Sequence, residues 1–281
     1  MPMSCPLCWL HCDFLPPAIG PTVSTPRHLI LLLLGLLLAG QAASAADPAP
    51  QAALAETPLV GQILARVDSL YRSDASHCRL EMEISTPNWQ RRLEMEMWTR
   101  GLDETFIRIL SPAKDAGITT LRKGTQMWNF FPRIDKTMKV PTSMMMSAWM
   151  GSDFTNDDLV KESTLIDDYV ATEAPAPADS LRCLVLTPRE QTATVWGRIE
   201  LTVRTTDLLP VEEIYYDEKG TAMRRLRFLD LTRFGKRLVP ATMELVPLNK
   251  PGHQTVIRYL EADFDAEPGE DTFSLRALRR R

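Results

Sequence analysis

Histidine and cysteine are scarce in this sequence. Of 4 histidines and 5 cysteines in 281 residues, only His77, His253, Cys78 and Cys183 lie beyond residue 45. That part of the chain contains no H-E-x-x-H, C-x-x-C, G-x-S-x-G, P-loop or G-x-G-x-x-G. The common local signatures of zinc hydrolases, dithiol chemistry, serine hydrolases and nucleotide enzymes are therefore missing. An excess of positive charge is missing too: 32 Lys and Arg against 36 Asp and Glu give −4, which argues against a nucleic-acid partner. The carboxylate pairs Glu81/Glu83 and Glu94/Glu96 are spaced by two. That spacing puts each pair on one face of a strand, and a solvated face accounts for them without catalysis. The chain reads as a non-enzyme that needs no cofactor and no metal.

Long apolar runs are nearly absent. The one that exists, residues 29–38 (LILLLLGLLL), is shorter than the ~20 residues a membrane-spanning helix needs. Arg27 and His28 precede it and the small residues of GQAASAA follow, the arrangement of a secretory signal peptide cleaved near residue 45. Residues 1–45 are therefore expected to be the signal, with residues 1–22 an over-extended start. Gln41 stands where a lipoprotein signal would carry its lipidated cysteine, so the mature chain is expected in the periplasm without a lipid anchor. Residues 46–56 read as an Ala/Pro tether and residues 57–281 as one folded domain. Cys78 and Cys183 fall at apolar strand positions, and spacing alone leaves open whether they are bonded.

From Thr57 the apolar residues Leu59, Ile63, Val67, Leu70 and Tyr71 recur at intervals of three and four. This predicts an amphipathic helix with Thr57 as N-cap and Pro58 at its first position. The period then becomes two. Cys78, Leu80, Met82 and Ile84 alternate with charge, and after Thr86-Pro87-Asn88 so do Leu93, Met95 and Met97, predicting a hairpin. Further strands are expected at residues 105–110, 118–123, 127–131 and 136–140. A second series follows at 181–188, 195–205, 210–216, 223–231, 241–245 and 255–264, separated by Gly, Pro and Asp turn signals. One helix ahead of many antiparallel strands predicts a single strongly curved sheet, an open half-barrel with a few covering helices. The Ala/Pro stretch at 174–178 is expected to be a loop within that sheet. Residues 270–275 should form a capped short helix that docks Phe273, Leu275 and Leu278.

Three stretches in the middle of the chain carry a more specific signal. Trp128-Asn129-Phe130-Phe131-Pro132-Arg133 leads through Met144-Met145-Met146 into Trp149-Met150-Gly151-Ser152-Asp153-Phe154-Thr155-Asn156-Asp157-Asp158-Leu159. Methionine is flexible and polarisable, so a Met-rich surface adapts to ligands of varied shape. Thr155-x-x-Asp158 fits a helix-capping pair better than a calcium loop, since Asp153, Asp157 and Asp158 lack the bend glycine and the closing glutamate.

This segment resembles the signature of the LolA-like periplasmic outer-membrane lipoprotein-sorting proteins. Arg66-Val67-Asp68, residues 107–112 and residues 273–278 also fit that pattern. The resemblance implies a curved antiparallel sheet around an apolar cavity, with helices as a lid. It also implies a carrier that takes acyl chains of lipids or lipoproteins from an inner-membrane transporter to an outer-membrane acceptor, acting as a monomer. Trp128, Phe130, Met144, Met145, Met146, Trp149, Met150 and Phe154 are the expected ligand-binding residues. No residue of this sequence is matched to the lid arginine that governs release in LolA. A docking or sensory module of a membrane transporter, carrying no cargo, is the competing reading.

Overall fold

The computed structural model describes residues 58–160 and 164–280. The expected signal peptide, the tether and the Thr57 cap lie outside them. Among the described residues no helix is long and apolar enough to cross a membrane.

The domain is mainly β. One antiparallel sheet of 13 strands is left open at both edges, the open half-barrel expected above. Helix α1 (Pro58–Asp68) leads into a six-strand meander: β1 (Ala75–Ser85), β2 (Gln90–Arg100), β3 (Glu104–Ser111), β4 (Thr119–Lys123), β5 (Gln126–Phe131) and β6 (Lys136–Lys139). After short helices α2 (Asn156–Val160) and α3 (Leu165–Asp168) comes a second meander: β7 (Tyr169–Ala174), β8 (Leu181–Pro188), β9 (Arg198–Arg204), β10 (Pro210–Tyr216), β11 (Ala222–Phe234), β12 (Arg237–Pro247) and β13 (Gln254–Asp263). The meanders join where β1 pairs with β13, so β6 and β7 form opposite edges of the sheet. Register shifts at Arg79/Leu80, Glu94/Met95 and Tyr215/Tyr216 are bulges; an extra residue on one strand bends it and helps the sheet curl.

Period two sorts the side chains. On the inner face, Leu80, Met82, Leu93, Met95, Ile107 and Ile109 form one buried cluster. At the other end α1 lays Val60, Ile63 and Leu64 on Leu184, Leu186 and Leu201, which is what its three-four spacing requires. The outer face carries ion pairs. Glu81 pairs with Arg92 and Arg258, and Arg79 with Glu94, so these carboxylates are structural neighbours of arginines.

Three expectations need correction. Strand β7 is missing from the expected strand series: only six residues long and holding two alanines, it gives little apolar alternation. Helix α1 ends at Asp68 rather than Tyr71; Leu70 and Tyr71 follow in a turn and pack separately beside Leu209 and Val239. The tail makes two 3-10 turns, Glu270–Phe273 and Ala277–Arg279, instead of one capped helix. Phe273 and Leu278 dock but Leu275 is 52% exposed, and Ala277 takes the place expected for it. Cys78 and Cys183 are both free, on β1 and β8, six positions apart in the sheet order.

Candidate functional site

The site follows from the topology. A chain that leaves a sheet at one edge and re-enters at the other has to cross a face. At about 4.8 Å per strand spacing the path along 13 strands is about 58 Å. Residues 140–168 supply it, with 161–163 outside the described residues, and they contain the Met/Trp segment singled out in the sequence.

The crossing segment plugs the inner face with Trp149, which is 2% exposed, while Met145, Met150, Phe154 and Leu159 pack partly buried on the inner-face cluster. Four polar fastenings hold it to separate strands. The Trp149 indole Nε1–H donates to Thr120 Oγ1 of β4 at 3.3 Å, and that hydroxyl donates to Asn129 of β5 at 2.7 Å. Arg91 of β2 donates to the Met150 carbonyl at 3.0 Å. Asp153 receives the Thr255 hydroxyl of β13 at 2.8 Å and returns its own backbone N–H to that oxygen at 3.0 Å. Asp158 receives both terminal nitrogens of Arg224, on β11, at 2.9 Å each.

Local rules explain the segment's shape. Trp149 to Ser152 is a turn closed by Ser152 N–H donating to the Trp149 carbonyl at 2.9 Å. Its central residues Met150 and Gly151 both have positive φ, 51° and 81°, the mark of a type I′ turn, in which glycine costs nothing at the second position. Thr155 and Asp158 then make the expected reciprocal cap of α2: Asp158 N–H donates to Thr155 Oγ1 at 3.1 Å, and Thr155 N–H to Asp158 Oδ2 at 2.8 Å. Asp153 and Asp158 thus turn to different strands and do not converge on a common point.

Beneath this lid lies a cavity of about 280 Å3, near the lower limit of roughly 300 Å3 for small-molecule pockets. Met82, Met95, Met97 and Met243 supply an adaptable wall, with Leu226 and Ile257 beside them; Trp149, Phe154 and Leu159 close it from the lid. One end is polar. Asp158, Arg224 and Tyr215 meet there, with the Arg224 guanidinium 4.2 Å from the centre of the Tyr215 ring and 4.6 Å from that of Trp196. Tyr215 gives its hydroxyl hydrogen to Glu213, which is buried. Burial pushes the Glu213 carboxyl above the usual carboxylate range, against the opposing pull of the Tyr215 hydrogen bond and the Arg224 charge. Burial also opposes charge on Asp158, but Arg224 and Thr155 outweigh it and hold that carboxyl below its ordinary range.

The expected site residues divide into three groups. Trp149 and Phe154 line the cavity, and Met145 and Met150 pack behind them. Met144 and Met146 face outward, 50% and 48% exposed. Trp128 and Phe130 lie on the opposite face of β5, packed with Phe106, Leu121 and the tail residues Phe273 and Leu278, with the Lys139 ammonium 5.5 Å from the centre of the Trp128 ring. They are the correction to the expected set. Alternation could have excluded them, because Met127 points inward and its neighbours at 128 and 130 must then point out. What the strand motif contributes is Asn129, through Thr120. The methionine wall comes from the strands rather than from Met144 and Met146, and Arg224 carried no local sequence signal, since its partner is 66 residues away.

Comparison places this architecture. A family model described as "Uncharacterized protein" matches residues 101–280, well over half of the chain. No curated protein sequence matches it. Among solved structures, a DUF1329 family protein from Desulfovibrio piger is similar with a TM-score of 0.68 at 21% identity, covering 77% of this chain and 96% of its own. A domain from Vibrio parahaemolyticus described as an outer membrane lipoprotein-sorting protein gives 0.67 at 17% identity, covering 79% and 97%. A LolA superfamily protein from Nitrosomonas europaea gives 0.63 at 17% identity, covering 77% and 98%. The chain belongs to the family whose model spans residues 101–280, and its fold is the LolA-like open half-barrel.

Proposed function

We propose that this protein is a non-catalytic periplasmic carrier that holds acyl chains of lipids or lipoproteins in the cavity under the Trp149 lid and ferries them from an inner-membrane donor toward the outer membrane. The observation that carries the reading is a methionine-lined apolar cavity closed by a segment fastened through polar contacts. Acyl chains offer no hydrogen bonds, so their binding rests on apolar area, at about 0.8 kcal/mol per buried methylene. A carrier must also let go. The Thr120 and Met150 fastenings are single hydrogen bonds and the Thr255 fastening is a pair, at about 1 kcal/mol per bond. With the Asp158–Arg224 ion pair as the one stronger tie, the lid can be lifted without unfolding the sheet. The structural relative described as lipoprotein-sorting supports the direction of transport by analogy of fold.

A neutral hydrophobic fluorophore displaced by phospholipid tests this reading. Met145→Asp and Trp149→Asp should each weaken fluorophore binding at least tenfold, while Leu260→Asp, at an exposed position of β13, should not. Circular dichroism would confirm that the variants stay folded. Wild-type protein that neither binds the fluorophore nor carries lipid would favour a docking module instead.

A further inference from the structure

The polar end of the cavity has one donor edge that the protein leaves unused. Arg224 spends its two terminal nitrogens on Asp158, and the rings of Tyr215 and Trp196 lie against its guanidinium. Its Nε is buried and has no hydrogen-bond partner among the described residues. Tyr215, the adjacent hydroxyl, is already committed to Glu213. Buried N–H donors are nearly always paired. Apart from Arg224, Asp158 and Tyr215 the cavity is lined by methionine, leucine, isoleucine and the rings of Trp149, Phe154 and Tyr259. None of the described residues accepts the Nε hydrogen, so an acceptor would have to arrive with the ligand.

The surrounding charge narrows what that acceptor is. Asp158 already balances Arg224, and Glu213 adds a second carboxyl group behind Tyr215. An incoming carboxylate would be a third acidic group around one cation, desolvated in a site with little else to stabilise it. A carbonyl oxygen accepts the Nε hydrogen without bringing charge.

We propose that Arg224 reads the linkage of the cargo: the cavity selects acyl chains that end in a neutral ester or amide carbonyl and disfavours free fatty-acid anions. This deepens the carrier reading and rests on it. The acyl tail lies along Met82, Met95 and Met97, and the carbonyl sits at the Arg224 end.

The test displaces bound N-phenyl-1-naphthylamine with decane, methyl decanoate or decanoate at pH 8. On the wild-type protein methyl decanoate should displace the probe at about tenfold lower concentration than decane, the gain expected of a hydrogen bond to a charged donor. Partition into a greasy site would give the opposite order, since decane is the more hydrophobic. Arg224→Met should erase the ester's advantage over decane. Because that variant leaves Asp158 buried without its partner, Asp158→Asn provides a second arm: it frees the arginine charge and should narrow the ester-over-decanoate ratio about tenfold. An ester no better than decane on wild-type protein, or an unchanged ratio in Asp158→Asn, would overturn the proposal while leaving a carrier. Failure of all three ligands to displace the probe would count against the carrier function itself.

Discussion

Asp158 does three things with one carboxylate. It caps α2 with Thr155, ties the lid to β11 through Arg224, and forms part of the cavity wall. Removing the cation should expose how much this matters. Arg224→Met leaves a buried carboxylate unpaired and is expected to cost about 3–5 kcal/mol, read as a shift in the urea midpoint. The pH dependence follows from the direction of the Asp158 shift. A carboxyl held below its unfolded value of about 3.8 contributes stability above that pH and loses it as pH falls through the native value. Acid below about pH 4 should therefore loosen the lid, and Asp158→Asn should flatten that part of the stability profile. Glu213 works the other way. Its carboxyl is raised, so relative to the unfolded chain it favours folding in acid and costs stability as pH rises above about 4.5. Glu213→Gln, which can still accept from Tyr215, should raise the denaturation midpoint at pH 7 and leave it nearly unchanged at pH 4. A destabilised Gln variant at neutral pH would show that the ionised form is the one the fold uses.

At the scale of elements, the lid is a short chain segment whose shape depends on its turn. Gly151 sits at a positive φ with only ordinary contacts around it, its nearest neighbours 4.0 Å from where a Cβ would stand. Gly151→Ala should thus cost only the conformational term, about 1–2 kcal/mol. That cost should appear as faster amide exchange across residues 148–155, with β1 and β2 unaffected. Trp149→Ala removes the buried plug and is expected to cost about 3–5 kcal/mol. Much of this segment was legible beforehand. The Trp-Met-Gly-Ser-Asp-Phe run marked the place, and the Thr155–Asp158 cap was readable from residue types three apart. The strands β1 and β2 were legible through clean alternation with charge. What misled was treating Trp128 and Phe130 as neighbours of the motif in space because they are neighbours in sequence. On a strand, adjacent residues part company, and these two serve the outer face under Phe273 and Leu278. Strand β7 escaped because Tyr-Val-Ala-Thr-Glu-Ala is short and holds two alanines, so it shows little apolar alternation even though it forms a hairpin with β8.

For the whole molecule, the decisive fact is the β1–β13 pairing that joins two meanders into one sheet. Composition and period predicted many antiparallel strands and a single curved sheet. They could not tell which strand of one series would meet which of the other, since that choice is made by packing between residues almost 180 apart. Once made, it turns the connection between β6 and β7 into a lid, and the cavity beneath it follows. The fold therefore leaves an apolar space, four strand methionines around it and one charged end, in a chain with no local signature of catalysis. The measurement that tests this account most directly is mass spectrometry of material extracted from the protein purified from its native cells. The account predicts near-stoichiometric lipid or acylated peptide carrying ester- or amide-linked acyl chains, depleted in Trp149→Asp. Protein that emerges free of acyl compounds, and stays free of them after incubation with phospholipid vesicles, would contradict it.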